Sequence, residues 1–355
     1  MHFTHQIPGR TASFQGEEWL YFSGTSYLGL SQNVDFQNLI VEGVRQYGAH
    51  FGGSRLSNLR LEIFEEAESY LAEWTGAEAA LIVSSGTLAG QLVVKTLQNQ
   101  NPDKNEFYFA PQVHPALFGE GEYSSVDFES WSTLMLKEAN CFDHPMVLFS
   151  NTLDPLKAQS YPFHWLEDSY NNVPITLVLD DSHGIGITGK AGAGIFSTLE
   201  VPKNVELIVI ASLGKALSIP GGVILGSKKF IQKIWQSPYF GGASPISPAY
   251  LHAFLQAKKL YQEHLQILFR TIEYFKTAIE PLNLFQTFEN YPVFYTSEDT
   301  LADFLNPYKI LISSFPYPTA QSETITRLVL NAAHTQADLS ALVDLLRTFV
   351  HLQNK

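Results

Sequence analysis

The chain is poor in cysteine, in positive charge and in long apolar runs, and each shortage excludes a class of protein. Cys141 is the only cysteine among 355 residues, so no intrachain disulfide framework exists. Lys and Arg number 22 against 35 Asp and Glu, a formal net charge of -13, and no segment forms a basic stripe. Binding to nucleic acid needs such a stripe, so a nucleic-acid partner is not expected. Charged residues make up 16% of the chain, below the usual share of about 25%. No run of about 18 uncharged apolar residues appears, so no membrane span is expected. The opening Met-His-Phe-Thr-His lacks the basic start and apolar segment of a secretory signal, and a cytoplasmic protein is the expectation. The length suggests two domains or one large one.

Aromatic residues are plentiful: 25 Phe and 16 Tyr exceed what one simple core needs, and part of them is expected in a pocket or a subunit interface. Short apolar runs alternate with helical stretches from about residue 75 to 235. Strands are predicted at 79–86, 106–110, 146–151, 176–181, 206–212 and 222–226. They are apolar throughout, which points to a mostly parallel sheet covered on both faces. Residues 62–74 carry one apolar stripe, with Gly76 as a stop. Residues 255–279 read as one long helix. A last helix starts at Thr335, with Asp338 three residues on. The proline-rich segment 314–319 reads as an ordered turn. The expected fold is α/β, a three-layer sandwich. Residues 40–240 form its large domain, and residues 1–39 and 241–355 form a smaller α+β domain.

Three clusters follow predicted strands, at the ends where open α/β sheets bind ligands. In SSGTLAG (84–90) the turn opens a helix whose N–H groups can cradle a phosphate, with a hydroxyl from Ser85 or Thr87; an ordinary strand–helix turn is the alternative. In LVLDDSHGIGITG (177–189), Asp180 and Asp181 end a buried strand and His183 follows. A carboxylate there needs a cationic partner. A pyridinium nitrogen, a divalent metal and a plain turn all remain open from this segment alone. In IVIASLGKALSIPGG (208–222), Lys215 sits among small residues. A desolvated lysine can form a Schiff base; a solvated loop lysine is the alternative. Together the clusters offer a phosphate seat, a carboxylate for a ring nitrogen and a Schiff-base lysine, which is what pyridoxal 5'-phosphate requires. On this reading no metal is needed.

YLGL (27–30), YGAHFGGSR (47–55), LAEWTGAEAALIVSSGTLAG (71–90), DDSHGIGITGKAGAG (180–194), SLGKAL (212–217) and LNAAHT (330–335) occur in this order. In these motifs the chain, from about Tyr21 to its end, resembles the α-oxoamine synthases, fold-type-I pyridoxal-phosphate enzymes akin to class II aminotransferases. The resemblance implies a transferase condensing an amino acid with an acyl thioester, such as an acyl-CoA, to an α-amino ketone. It implies that Lys215 holds the cofactor and moves the proton. It places Asp180, rather than Asp181, on the pyridine nitrogen, His183 on the phenolic oxygen side and His114 on the ring face. Ser85, Gly86, the backbone of Thr87 and Leu88, and Ser212 would form the phosphate seat. Ser244 would reach the phosphate of the neighbouring subunit in a homodimer.

The departures concern the substrate. Phe315 stands where the resemblance calls for a carboxylate-gripping arginine. Thr25 replaces an asparagine, and Phe64 a histidine. SNTLDPL (150–156) replaces an acidic segment, with Asn151 or Asp154 nearest, and a substantial N-terminal helix is missing. Arg327 aligns with a structural arginine, which leaves Arg55 and Arg10 as candidate replacements. An aminotransferase, another pyridoxal-phosphate reaction on an atypical amine that has no carboxylate at this place, and a non-catalytic partner with this fold are the alternatives; an intact Lys215 and Asp180 argue against the last.

Overall fold

The computed structural model describes residues 3–14, 16–100, 106–141, 144–169, 173–317 and 319–353. The chain opens with β1 (Thr11–Phe14) and β2 (Glu17–Phe22), then α1 (Val34–Tyr47) and α2 (Glu62–Thr75). Next come β3 (Ala79–Val83), α3 (Gly86–Gln100), β4 (Phe107–Phe109), β5 (Glu122–Tyr123) and α4 (Phe128–Cys141). They are followed by β6 (Met146–Asn151), a small hairpin of β7 (Leu153–Asp154) and β8 (Gln159–Ser160), β9 (Ile175–Asp180), β10 (Val205–Ser212) and β11 (Gly222–Gly226). Helices α5 (Lys228–Trp235), α6 (Pro238–Gly242), α7 (Pro248–Gln256) and α8 (Lys258–Ile279) lead to β12 (Val293–Thr296) and α9 (Leu301–Leu305). The chain closes with β13 (Ile310–Pro316), β14 (Thr324–Val329) and α10 (Gln336–Gln353).

The six predicted strands and the short β5, which was not predicted, form one seven-stranded sheet in the order β3-β11-β10-β9-β6-β4-β5. Its pairs are parallel except where β11 runs against β10 and β3. All six residues of β6 are buried. That is the signature of a strand covered on both faces, and separate apolar cores lie on the two sides. A second sheet, β1-β2-β13-β14-β12, joins the two ends of the chain, because β2 pairs in parallel with β13.

Local signals act where they were read. Gly76 ends α2 in the left-handed conformation at φ 80°. Thr335 and Asp338 cap α10 reciprocally: the Asp338 carboxylate accepts from the Thr335 N–H at 2.8 Å, and Thr335 Oγ1 accepts from the Asp338 N–H at 3.3 Å. Two expectations are corrected. The helix expected over 255–279 is two helices, broken where Ala257 (φ -85°, ψ 10°) leaves the helical path between α7 and α8. The segment 314–319 is not all turn, since Ser314–Pro316 pair with Thr324–Thr326 as the end of β13; Pro318 lies outside the described residues.

Candidate active site

The C-terminal ends of β6 and β9, with the loop after β10, converge on a cavity of about 540 Å³. Asp180, His183, Lys215, His114 and Asn151 line it, with Arg327 from β14. Side chains alternate along a strand end, and the two aspartates accordingly face different ways. Asp180 lines the cavity; one of its oxygens accepts from the Ser182 N–H at 2.9 Å, and the other lies 3.6 Å from His114 Nδ1. Asp181 is turned away. Its oxygens accept from Thr152 Oγ1 at 2.7 Å and from the Ile195 N–H at 2.8 Å. A Cβ on Gly184 or Gly194 would overlap this carboxylate, so the glycine-rich loop folds closely around it. Burial, with Asp180 adding, pushes the Asp181 carboxyl up to about 7. The metal alternative is therefore not assembled: no group of three metal-ligating side chains occurs among the described residues.

Burial lowers the Lys215 amine to about 8; Asp180 opposes the shift and Arg327 adds to it. The amine is thus an accessible base near neutral pH. His183 is held well below its usual range by burial, and by Lys215 and Arg327. Its Nδ1 lies 2.8 Å from the Tyr27 hydroxyl. His114 is also lowered, chiefly by burial. Its backbone N–H donates to Asn151 Oδ1 at 3.0 Å, and Asn151 Nδ2 donates to the Gln112 carbonyl at 2.8 Å. Asn151 thereby holds the His114 loop in place.

None of the residues expected to seat the phosphate lines this cavity, but they come together with one another. Gly86 opens α3, and a Cβ there would come within 2.8 Å of the Ser212 Cβ, so the first and third clusters touch. Ser85 Oγ accepts from the Leu88 N–H at 3.0 Å. This corrects the expectation for the Leu88 backbone, whose donor is already committed to the helix cap. Thr87 lies in the first turn of α3, where backbone N–H groups have no partner within the helix itself. Ser244 is exposed and does not line the cavity.

The arginine expectations are reversed. Arg55 is buried in a two-pronged ion pair with Glu68, at 3.0 and 3.1 Å, and stacks over Phe64. Phe64 is itself core, not cavity lining. Arg10 is paired with Asp338 at 2.7 Å. Arg327, read as structural, is the arginine that lines the cavity. It is 6% exposed, donates through Nη1 to the Pro155 carbonyl, and has a buried Nε without a partner among the described residues. Thr25, Asp154 and Phe315 also line the cavity, and Phe315 joins Phe118, Tyr123 and Tyr317 at an aromatic rim. The role of Tyr27 was not read from the sequence, although its YLGL motif marked the place.

A cofactor with a phosphate, a cationic ring nitrogen and an aldehyde fits this donor set. Lys215 offers a partly unprotonated amine, Asp180 an acid aimed into the cavity, and the close contact of Gly86 with Ser212 a cradle that a larger residue would fill. A family model, aminotransferase class I and II, matches residues 166–346. The chain is 25% identical over 347 residues to 8-amino-7-oxononanoate synthase of Petrotoga mobilis, covering 93% of this chain and 88% of that one. In fold it is similar to a serine palmitoyltransferase of Sphingomonas wittichii, with a TM-score of 0.81 at 15% identity, over 98% of this chain and 91% of that one. It is also similar in fold to 8-amino-7-oxononanoate synthase of Francisella tularensis, with a TM-score of 0.74 at 19% identity, over 95% and 99%. With the family model spanning just over half of its length, the chain belongs to the class I and II aminotransferase family.

Proposed function

We propose that the protein is a pyridoxal-phosphate-dependent acyltransferase that joins an amino acid to an acyl thioester and releases an α-amino ketone. The observation that carries this reading is the convergence of Lys215, Asp180, His183 and Arg327 on one cavity with an aromatic rim. When bound, pyridoxal phosphate supplies a conjugated ring that accepts the electron pair left on the substrate's α-carbon. Asp180 would face the ring nitrogen with its carboxylate and favour the protonated ring. Lys215 would hold the cofactor covalently, and its Nζ, when free, would accept the substrate's α-proton. His114 would pack on the ring face, and Thr87, Ser85 and Ser212 would hold the phosphate. Arg327 receives the carboxylate of the amino substrate, the role the resemblance had given to the position of Phe315. The substrate α-carbon then bonds to the thioester carbonyl carbon, the C–S bond breaks, and the thiolate leaves with a proton. The substrate carboxylate departs as carbon dioxide where the amino acid calls for it.

Two features extend the reading. Ser244 is exposed, as a residue serving a neighbouring subunit's site must be before assembly, which supports a homodimer. No described helix is long and apolar enough to cross a membrane, in keeping with a cytoplasmic role. The aminotransferase reading keeps the same lysine and carboxylate, and Phe315 in place of an arginine is the feature that favours it. The deciding experiment incubates holoenzyme with a panel of amino acids and acyl-CoA thioesters and measures free thiol. Thiol release that requires an amino acid supports acyl transfer. Amino-group loss that requires a keto acid, with no thiol released, would favour the aminotransferase.

A further inference from the structure

The cavity histidine is held from behind by a phenol. Tyr27 is fully buried, and its hydroxyl lies 2.8 Å from His183 Nδ1. Behind it stands a second buried phenol, Tyr291, with ring centroids 6.2 Å apart. The Tyr291 hydroxyl has no hydrogen-bond partner among the described residues. His183 itself is half-buried and lines the cavity.

A hydrogen bond between a phenol and an imidazole nitrogen can run in either direction, and each direction fixes a different tautomer. If Nδ1–H donated to Tyr27, the buried Tyr27 proton would have no acceptor among the described residues, which is costly. In the opposite direction, Tyr27 donates to Nδ1, and its proton points at a lone pair. A doubly protonated ring is disfavoured by burial and by the nearby Lys215 and Arg327. The single remaining proton of the ring must therefore sit on Nε2, which has no protein partner among the described residues.

We propose that Tyr27 is a positioning residue that locks His183 in the Nε2–H tautomer, so that the ring presents a donor, not an acceptor, to the cavity. A donor next to Lys215 suits a ligand oxygen that carries negative charge. Tyr27 does not touch the cavity and acts only through His183.

This inference concerns the protein's own protons and is tested on them directly. The full chain is labelled with ¹⁵N-histidine and long-range ¹H–¹⁵N correlations are recorded at neutral pH, with and without added cofactor. The His183 signals are assigned by their loss in His183→Gln. We expect a bare Nδ1 and a protonated Nε2 in the wild type in both states. In cofactor-free Tyr27→Phe, judged folded by circular dichroism, we expect the pure Nε2–H form to give way to a mixture or to the Nδ1–H form. A proton on Nδ1 in the wild type would overturn the proposal, and that spectrum decides even if the variant fails to fold. A folded, cofactor-free Tyr27→Phe with an unchanged tautomer would overturn it as well. A protein with the Nε2–H tautomer that joins no amino acid to any thioester would refute the proposed function and leave this inference standing.

Discussion

Replacing Arg327 by glutamine separates a substrate-binding cation from a structural one. The guanidinium carries five N–H donors. Nη1 donates to the Pro155 carbonyl, and Nε is buried without a partner among the described residues. No carboxylate among the described residues lies within 4 Å of it, whereas Arg55 and Arg10 each have one. A buried cation with no anion is destabilising in the free protein and awaits one from outside. Removing one partner of a buried, hydrogen-bonded charge pair costs about 2–5 kcal/mol of binding. Arg327→Gln should therefore weaken amino-acid binding roughly 30- to 5,000-fold, since each 1.4 kcal/mol is tenfold. Folding stability should not fall, because no internal ion pair is broken and an unpaired buried charge is removed.

The assay is a titration of the holoenzyme's visible absorbance with amino acids, beside thermal unfolding of both proteins. A structural arginine gives the opposite pattern. The variant would then melt at clearly lower temperature and bind amino acids within twofold of the wild type, and that result would refute the assignment. A second consequence has a fixed sign. Arg327 helps to lower the Lys215 amine, so its loss raises that amine above about 8. The lysine then stays protonated to higher pH, and the rising limb of the pH–rate profile moves in the alkaline direction.

Borohydride reduction of the yellow holoenzyme should fix the cofactor to the peptide containing Lys215, and a label elsewhere would break the assignment. Asp181 titrates near 7 in the folded protein and near 3.8 when exposed, so the native state binds the extra proton between these values. Stability therefore falls as pH rises from about 4 to 7, by an amount on the order of 4 kcal/mol. Asp181→Asn, which stays neutral, should flatten that slope in melting curves taken across the range; an equally steep slope would show that another group is responsible. The rim of Phe118, Tyr123, Phe315 and Tyr317 should favour hydrocarbon thioesters. Trimming Phe118 to alanine should raise KM for a long-chain acyl-CoA several-fold and leave amino-acid binding unchanged, with steady-state kinetics as the check.

The large sheet was legible because its strands are short, apolar and separated by helical periodicity. A strand such as MVLFSN, buried on every residue, can only be the interior of a covered sheet. The order of the strands was not legible. That β11 lies against β3 depends on pairing between residues more than a hundred positions apart, such as Val223 with Ile82. The break at Ala257 was hidden for a different reason. Alanine is the best helix former, so nothing local marks a stop; here it is 1% exposed at the junction of two packed helices, and tertiary packing sets the bend.

The site divides along the same line between local and distant causes. Asp180 and Asp181 could be told apart because the alternation of side chains is a property of one strand. The arginines could not. Arg55 and Arg10 looked available because their sequence neighbours are glycines and turns, but the carboxylates that hold them are Glu68, on a nearby helix, and Asp338, some 328 positions away. Arg327 looked structural because the resemblance aligns it with a structural arginine. Its place on β14 carries the guanidinium to the cavity that β6 and β9 open from the other sheet. The partner of a charge is thus what the sequence conceals, and which cation remains unpaired is what determines where a substrate carboxylate can bind.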